Sequence, residues 1–138
     1  METGFESAYG FIADVMRHEI RQIAQIENDR SRFVYVSSAY RGDTEGNVKK
    51  ARIYCRFIVD HGKIPFAPHL LFPQFMDEST EREVVMGMNL ELLKLFDELW
   101  VFGSRASSGM MAEVMMAQAL GMDIRWFTED LKEVEGWN

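Results

Sequence analysis

The chain has 138 residues, enough for one core but not two, and its apolar (47%) and charged (27%) fractions are those of a globular protein. A net charge of −7 disfavours duplex DNA or RNA as a main partner, because backbone binding rests on lysine and arginine neutralising phosphates. Cys55 is the only cysteine, His18, His61 and His69 lack the close spacing of a zinc site, and neither a leader nor a membrane-spanning apolar run is visible. A soluble, cytoplasmic protein without metal or cofactor is the expectation.

In chain order, residues 11–27 carry Ile12, Val15 or Met16, Ile20, Ile23 and Ile26 at helical spacing, so residues 1–30 read as a helical extension. Residues 31–138 then read as one α/β domain. Its first strand, 33–36, is β-branched and aromatic and runs into Ser37, Ser38, Ala39, Tyr40, Arg41, Gly42 and Asp43. Small residues let a ligand approach the backbone, and Arg41 offers a planar fork of donors for phosphate or carboxylate. An ordinary strand-to-helix turn with a solvated arginine is the plainer alternative.

A helix over 47–61 is expected to turn Val48, Ala51, Cys55, Ile58 and Val59 inward and to leave Lys49, Lys50, Arg52 and Arg56 in solvent, with Gly62 closing it. A short strand over 64–67, restricted by Pro65 and Pro68, leads to His69, which is either structural or at a ligand. Residues 70–76 are too apolar for a free loop. A helix over 81–96 would bury Val84, Val85, Met88, Leu92, Leu95 and Phe96.

Leu99, Trp100, Val101 and Phe102 form a buried strand, followed by a turn cluster ending in Ser107, Ser108 and Gly109. A serine there suits a helix start, where unpaired N–H groups favour an anion. The helix 110–120 is apolar except at Glu113 and Gln118, the pattern of a helix buried on every side. Glu113, one turn in, can reach back toward the loop, or can merely complement the helix dipole. Met111, Met115 and Met122 share the face of Gln118, and a homodimer or larger homo-oligomer would cover them. A last strand over 124–127 and a short acidic tail complete the chain.

Alternating strands and helices imply a small doubly wound parallel sheet of four to five strands, flavodoxin- or Rossmann-like, in the order 2-1-3-4. The two loops, 37–43 and 103–109, then flank the crevice where the strand order reverses, which is where such sheets bind ligands. No GxGxxG, GxxxxGK[ST] or GxSxG motif is present, which argues against a dinucleotide dehydrogenase, a P-loop enzyme and an α/β-hydrolase.

The runs VYVSSAYRG (34–42), DELWVFG (97–103) and SSGMMAE (107–113), in this order, resemble the nucleoside 2-deoxyribosyltransferase superfamily, which includes deoxynucleoside 5'-monophosphate N-glycosidases. Residues 40–75 look like an uncharacterised, partly phage-borne branch of it. The resemblance implies a nucleoside or nucleotide ligand, Glu113 as the nucleophile at the anomeric carbon and Tyr35 as its holder. It also implies a 5'-phosphate on Ser38, Ala39, Arg41, Gly42 and Ser107. Ser37, Tyr40, His69, Ser108 and Gly109 complete the substrate-binding candidates. Asn89 stands where those enzymes carry an aspartate that assists departure of the base, and an asparagine cannot deliver a proton. The resemblance therefore leaves two readings, an N-glycosidase or 2-deoxyribosyltransferase-like enzyme and a non-catalytic nucleotide-binding protein. A purely structural domain would leave Glu113 and both loops unexplained.

Overall fold

The computed structural model describes residues 4–28 and 32–137. The chain divides into two compact units, Met1–Ser31 and Arg32–Asn138. The first contains α1 (Gly4–Asn28), an amphipathic helix beginning earlier than its apolar spacing indicates. No helix among the described residues is long and apolar enough to cross a membrane.

The second unit runs β1 (Phe33–Ser37), α2 (Thr44–Asp60), β2 (Ile64–Phe66), two short 3-10 turns, α3 (Arg82–Leu93), β3 (Glu98–Phe102), α4 (Ser108–Ala119), β4 (Asp123–Phe127) and β5 (Glu133–Val134). The five strands form one sheet in the order β2-β1-β3-β4-β5. The first four are parallel, with Tyr35 opposite both Phe66 and Leu99, as the expected order 2-1-3-4 requires. β5 pairs antiparallel with β4.

Right-handed crossovers send a helix to one face when the chain moves left in the sheet and to the other when it moves right. The two cores follow this rule. Tyr54 and Ile58 of α2 pack with Val34, Val36, Trp100, Phe102 and Phe127. On the opposite face Leu93 of α3 and Met110, Val114 and Ala117 of α4 pack with Tyr35, Leu99 and Val101. The central strands are thus buried on both faces, which is why β1 and β3 read as continuous apolar runs.

Several expectations are corrected. α2 starts at Thr44, because the Asp43 side chain accepts from the Gly46 amide at 3.1 Å, and its buried line is Ala51, Tyr54, Ile58. Val59, one residue and 100° further round, is exposed. α3 buries Val85, Asn89 and Leu93, so Val84 points to solvent, and Leu95 lies beyond the helix end and is also exposed. α4 is not buried on every side: Met111 and Met115, with Gln118, are exposed in this chain.

The acidic tail is not a loose end. Arg125 Nε and Nη2 donate to the two carboxylate oxygens of Glu133, each at 2.8 Å, and the same guanidinium lies 4.4 Å from the Trp100 ring centroid. This planar fork fastens β5 to β4.

Trp100→Ala is expected to lower stability by about 3–5 kcal/mol in denaturant melts, since the ring is wholly buried between α2 and the sheet. Val84→Ala, at a position 57% exposed, is expected to change it by less than about 0.5 kcal/mol.

Candidate active site

Side chains alternate across a strand, so β1 sends Val34 and Val36 toward α2 and Tyr35 and Ser37 toward α4. On the α4 side the helix begins with Ser107, whose Oγ accepts from the Met110 amide at 3.2 Å. The buried line of α4 then runs Met110, Glu113, Val114, Ala117, placing a carboxylate against the end of β1.

Tyr35 Oη donates to Glu113 Oε2 at 2.5 Å and Ser37 Oγ donates to Oε1 at 2.8 Å. Glu113 is 5% exposed and no cation is bonded to it among the described residues. Burial pushes its carboxyl up to about 7 from the usual 4.5, while the two hydroxyl hydrogen bonds pull the other way. Burial, then the charge of Glu113, raises the Tyr35 phenol far above its ordinary range, so it remains a donor.

Glu113 opens onto a cavity of about 170 Å³. Ser38, Ala39, Tyr40 and Arg41 line it from the β1–α2 loop, Ser107, Ser108 and Gly109 from the start of α4, and His69 and Asn89 complete its walls. Tyr35 and Ser37 do not line it but hold Glu113 from behind. Gly42, grouped with the phosphate loop from sequence, lies outside this lining and borders a separate shallow cleft with Thr44 and Met76. Its φ of +93° makes the turn into α2.

Two polar atoms in the lining have no partner among the described residues. Ser38 Oγ and Asn89 Oδ1 are buried without a hydrogen bond, Ser38 being 3% and Asn89 7% exposed. A buried unsatisfied polar atom costs about 1–3 kcal/mol, so such atoms around a cavity mark where a ligand supplies the missing partner. His69 has another role: its Nε2 donates to the Ser38 carbonyl at 3.0 Å and its ring lies 4.9 Å from that of Tyr40. Burial lowers the imidazole below its usual range, against the pull of that hydrogen bond, so His69 is a neutral prop for the loop.

The structure adds residues to the site that sequence reasoning missed. Arg82, Met86 and Leu90 line the cavity with Asn89, and so does Glu78. The spacing 82, 86, 89, 90 is one face of a helix, a signal obscured by placing the inward face of α3 one residue away. Arg82 Nη2 donates to Ser108 Oγ at 2.5 Å, tying the start of α3 to the start of α4. Arg41 Nη2 reaches the Glu78 carbonyl at 3.5 Å, and neither guanidinium has a carboxylate partner among the described residues. The described residues contain no cluster of His, Cys, Asp or Glu arranged to hold a metal ion.

No curated protein matches the chain. Among solved structures, the chain is similar to a 2-deoxyribosyltransferase from the psychrotolerant bacterium Bacillus psychrosaccharolyticus, with a TM-score of 0.51 and 22% identity over 75% of this chain and 77% of that one. It also matches a CMP N-glycosidase of Clostridium botulinum, at a TM-score of 0.46 and 18% identity over 70% of this chain and 69% of that one. The first likeness is one of fold, and it agrees with the five-stranded sheet described above. A family model described as a domain of unknown function, DUF7768, spans residues 32–127, and the chain belongs to that family.

Proposed function

We propose that the protein cleaves or exchanges the N-glycosidic bond of a nucleoside or nucleotide, with Glu113 as nucleophile. The observation that carries this reading is a carboxylate buried without a cation, titrating near neutrality and aimed at a cavity with unpaired polar groups. The 2-deoxyribosyltransferase of similar fold is consistent with it.

In the first step a Glu113 carboxylate oxygen bonds to the anomeric carbon while the bond to the base nitrogen breaks, its electron pair leaving with the base. Tyr35 and Ser37 hold the carboxylate through hydroxyl donors, which orient it without adding a full positive charge. Asn89 has no proton to give, so the departing base takes its proton from water. Water, or a second base, then attacks the anomeric carbon and releases the carboxylate. Arg41 and the amides at Ser107–Gly109 are suited to a 5'-phosphate. Asn89, buried and unbonded, is suited to a sugar hydroxyl or a base edge.

Asn89 also favours the second reading, a protein that binds a nucleotide without turnover, because an amide retains binding where a carboxylic acid would be needed for efficient departure. Met111 and Met115, the latter 65% exposed on α4, support association of this chain with copies of itself. A Met115→Lys variant is expected to shift sedimentation toward the monomer.

Incubation with a panel of nucleosides and their 5'-monophosphates is expected to release or exchange base, and Glu113→Gln to reduce that rate by about 10³-fold or more. Thermal stabilisation without base release, equal in both proteins, would overturn the nucleophile and leave the binding reading. The attacking group must be ionised, so kcat/KM is expected to rise with pH and level off above about 7.

Stability carries the opposite sign. A carboxyl whose folded pKa is raised favours the folded state below pH 4.5, and that contribution is lost as pH rises through about 7. Glu113→Gln is therefore expected to gain stability over the parent above pH 7, approaching roughly 3 kcal/mol, and to lose that advantage toward pH 4. Paired melts at pH 4 and pH 8 measure it.

A further inference from the structure

The sheet carries a second cavity, of about 330 Å³, on the opposite face at the same edge. Its floor is Tyr54 and Phe102, whose rings stack at 4.2 Å over the α2-side core. The walls bring Lys50 of α2 together with Gly103, Ser104 and Arg105 of the β3–α4 loop. Gly103 has a φ of +111°, a backbone turn that L side chains rarely adopt.

We infer that this cavity is a separate binding site for a small oxyanion-bearing ligand, a phosphate or a carboxylate, held between Lys50 and Arg105. Lys50 Nζ lies 3.2 Å from Glu129 Oε2, Asp130 adds a second negative charge near Tyr54, and Arg105 has no carboxylate partner among the described residues. The Arg105 guanidinium, a planar fork without a carboxylate partner among the described residues, favours an oxyanion, and Lys50 stands beside it to share the charge. Ser38, whose almost wholly buried Oγ has no partner among the described residues, lies on the wall common to both cavities, so an occupant of either can supply that partner. No basic group of the first cavity lines the second, so the two bind anions separately. The occupant also lies against the loop of the first cavity, because Asn47 in the second wall donates to the carbonyls of Tyr40 and Arg41, each at 3.0 Å. The position suits a ligand: both cavities sit where the strand order reverses between β1 and β3, at the carboxyl ends of the strands.

The test is an amide chemical-shift titration of the full chain with inorganic phosphate and, separately, with malonate. It is run in the parent, in Lys50→Gln and Arg105→Gln, and in Arg41→Ala, which weakens the first cavity alone. Saturable shifts at Lys50, Gly103, Ser104 and Arg105 are expected, retained in Arg41→Ala and weakened about tenfold or more in Lys50→Gln and Arg105→Gln. Phosphate alone saturating would assign a phosphoryl ligand, malonate alone a carboxylate, and both a general oxyanion site. Absence of saturable shifts at those residues with either probe would overturn the site, as would affinities unchanged in Lys50→Gln and Arg105→Gln. Base release is not part of the readout, so failure here leaves the glycosidic reading standing and the reverse also holds.

Discussion

A carboxylate out of water is expensive unless something replaces its solvent, and the second unit of this chain is arranged around that demand at Glu113. The replacement consists of two hydroxyls, from Tyr35 and Ser37, supplied by one strand at a spacing of two residues. For both to arrive, β1 must be central, α4 must start at the end of β3, and Ser107 must fix where that start lies. The sheet order and the helix cap are in this sense requirements of one buried group.

The chain contains an internal comparison. Glu98, at the other end of the sheet, is as little exposed but packed less deeply, and Lys63 Nζ lies 2.7 Å from it and Arg32 Nε 3.5 Å. Burial pushes the Glu98 carboxyl up, yet hydrogen bonds from Lys63 and Trp100 and the charges of Lys63 and Arg32 outweigh it and leave it below its usual range. Glu113 receives only neutral donors, and there burial wins. Two glutamates of similar exposure thus take opposite characters, one a fixed structural anion and the other a group poised to change charge near neutrality.

Much of this architecture was legible in the sequence because it is written in local terms. β1 and β3 announce themselves as apolar runs, Ser107 as a cap, and the strand order follows from the alternation of elements. The loops 37–43 and 103–109 do meet at one sheet edge, and most of the residues singled out in them line one cavity. Helix phase was less legible. In α3, Val84 and Val85 are adjacent valines, and only tertiary packing, chiefly of α3 against α4, decides that Val85 goes inward, which in turn brings Arg82, Met86 and Asn89 to the cavity. Tyr54 and Glu78 were hidden for a related reason, since each depends on a partner distant in sequence, Phe102 and Arg41 respectively, while β5 is two residues long, too short for a periodicity to show.

The two-residue alternation of β1 also limits how this protein can vary. Deleting or inserting one residue early in the strand would exchange its faces, turning Val36 toward Glu113 and driving the Tyr35 hydroxyl into the apolar core on the α2 side. No small shift of register separates the integrity of the sheet from the support of the carboxylate. Lineages of this chain can retune the cavity by substitution in the loops, but length changes within the strand itself are closed to them.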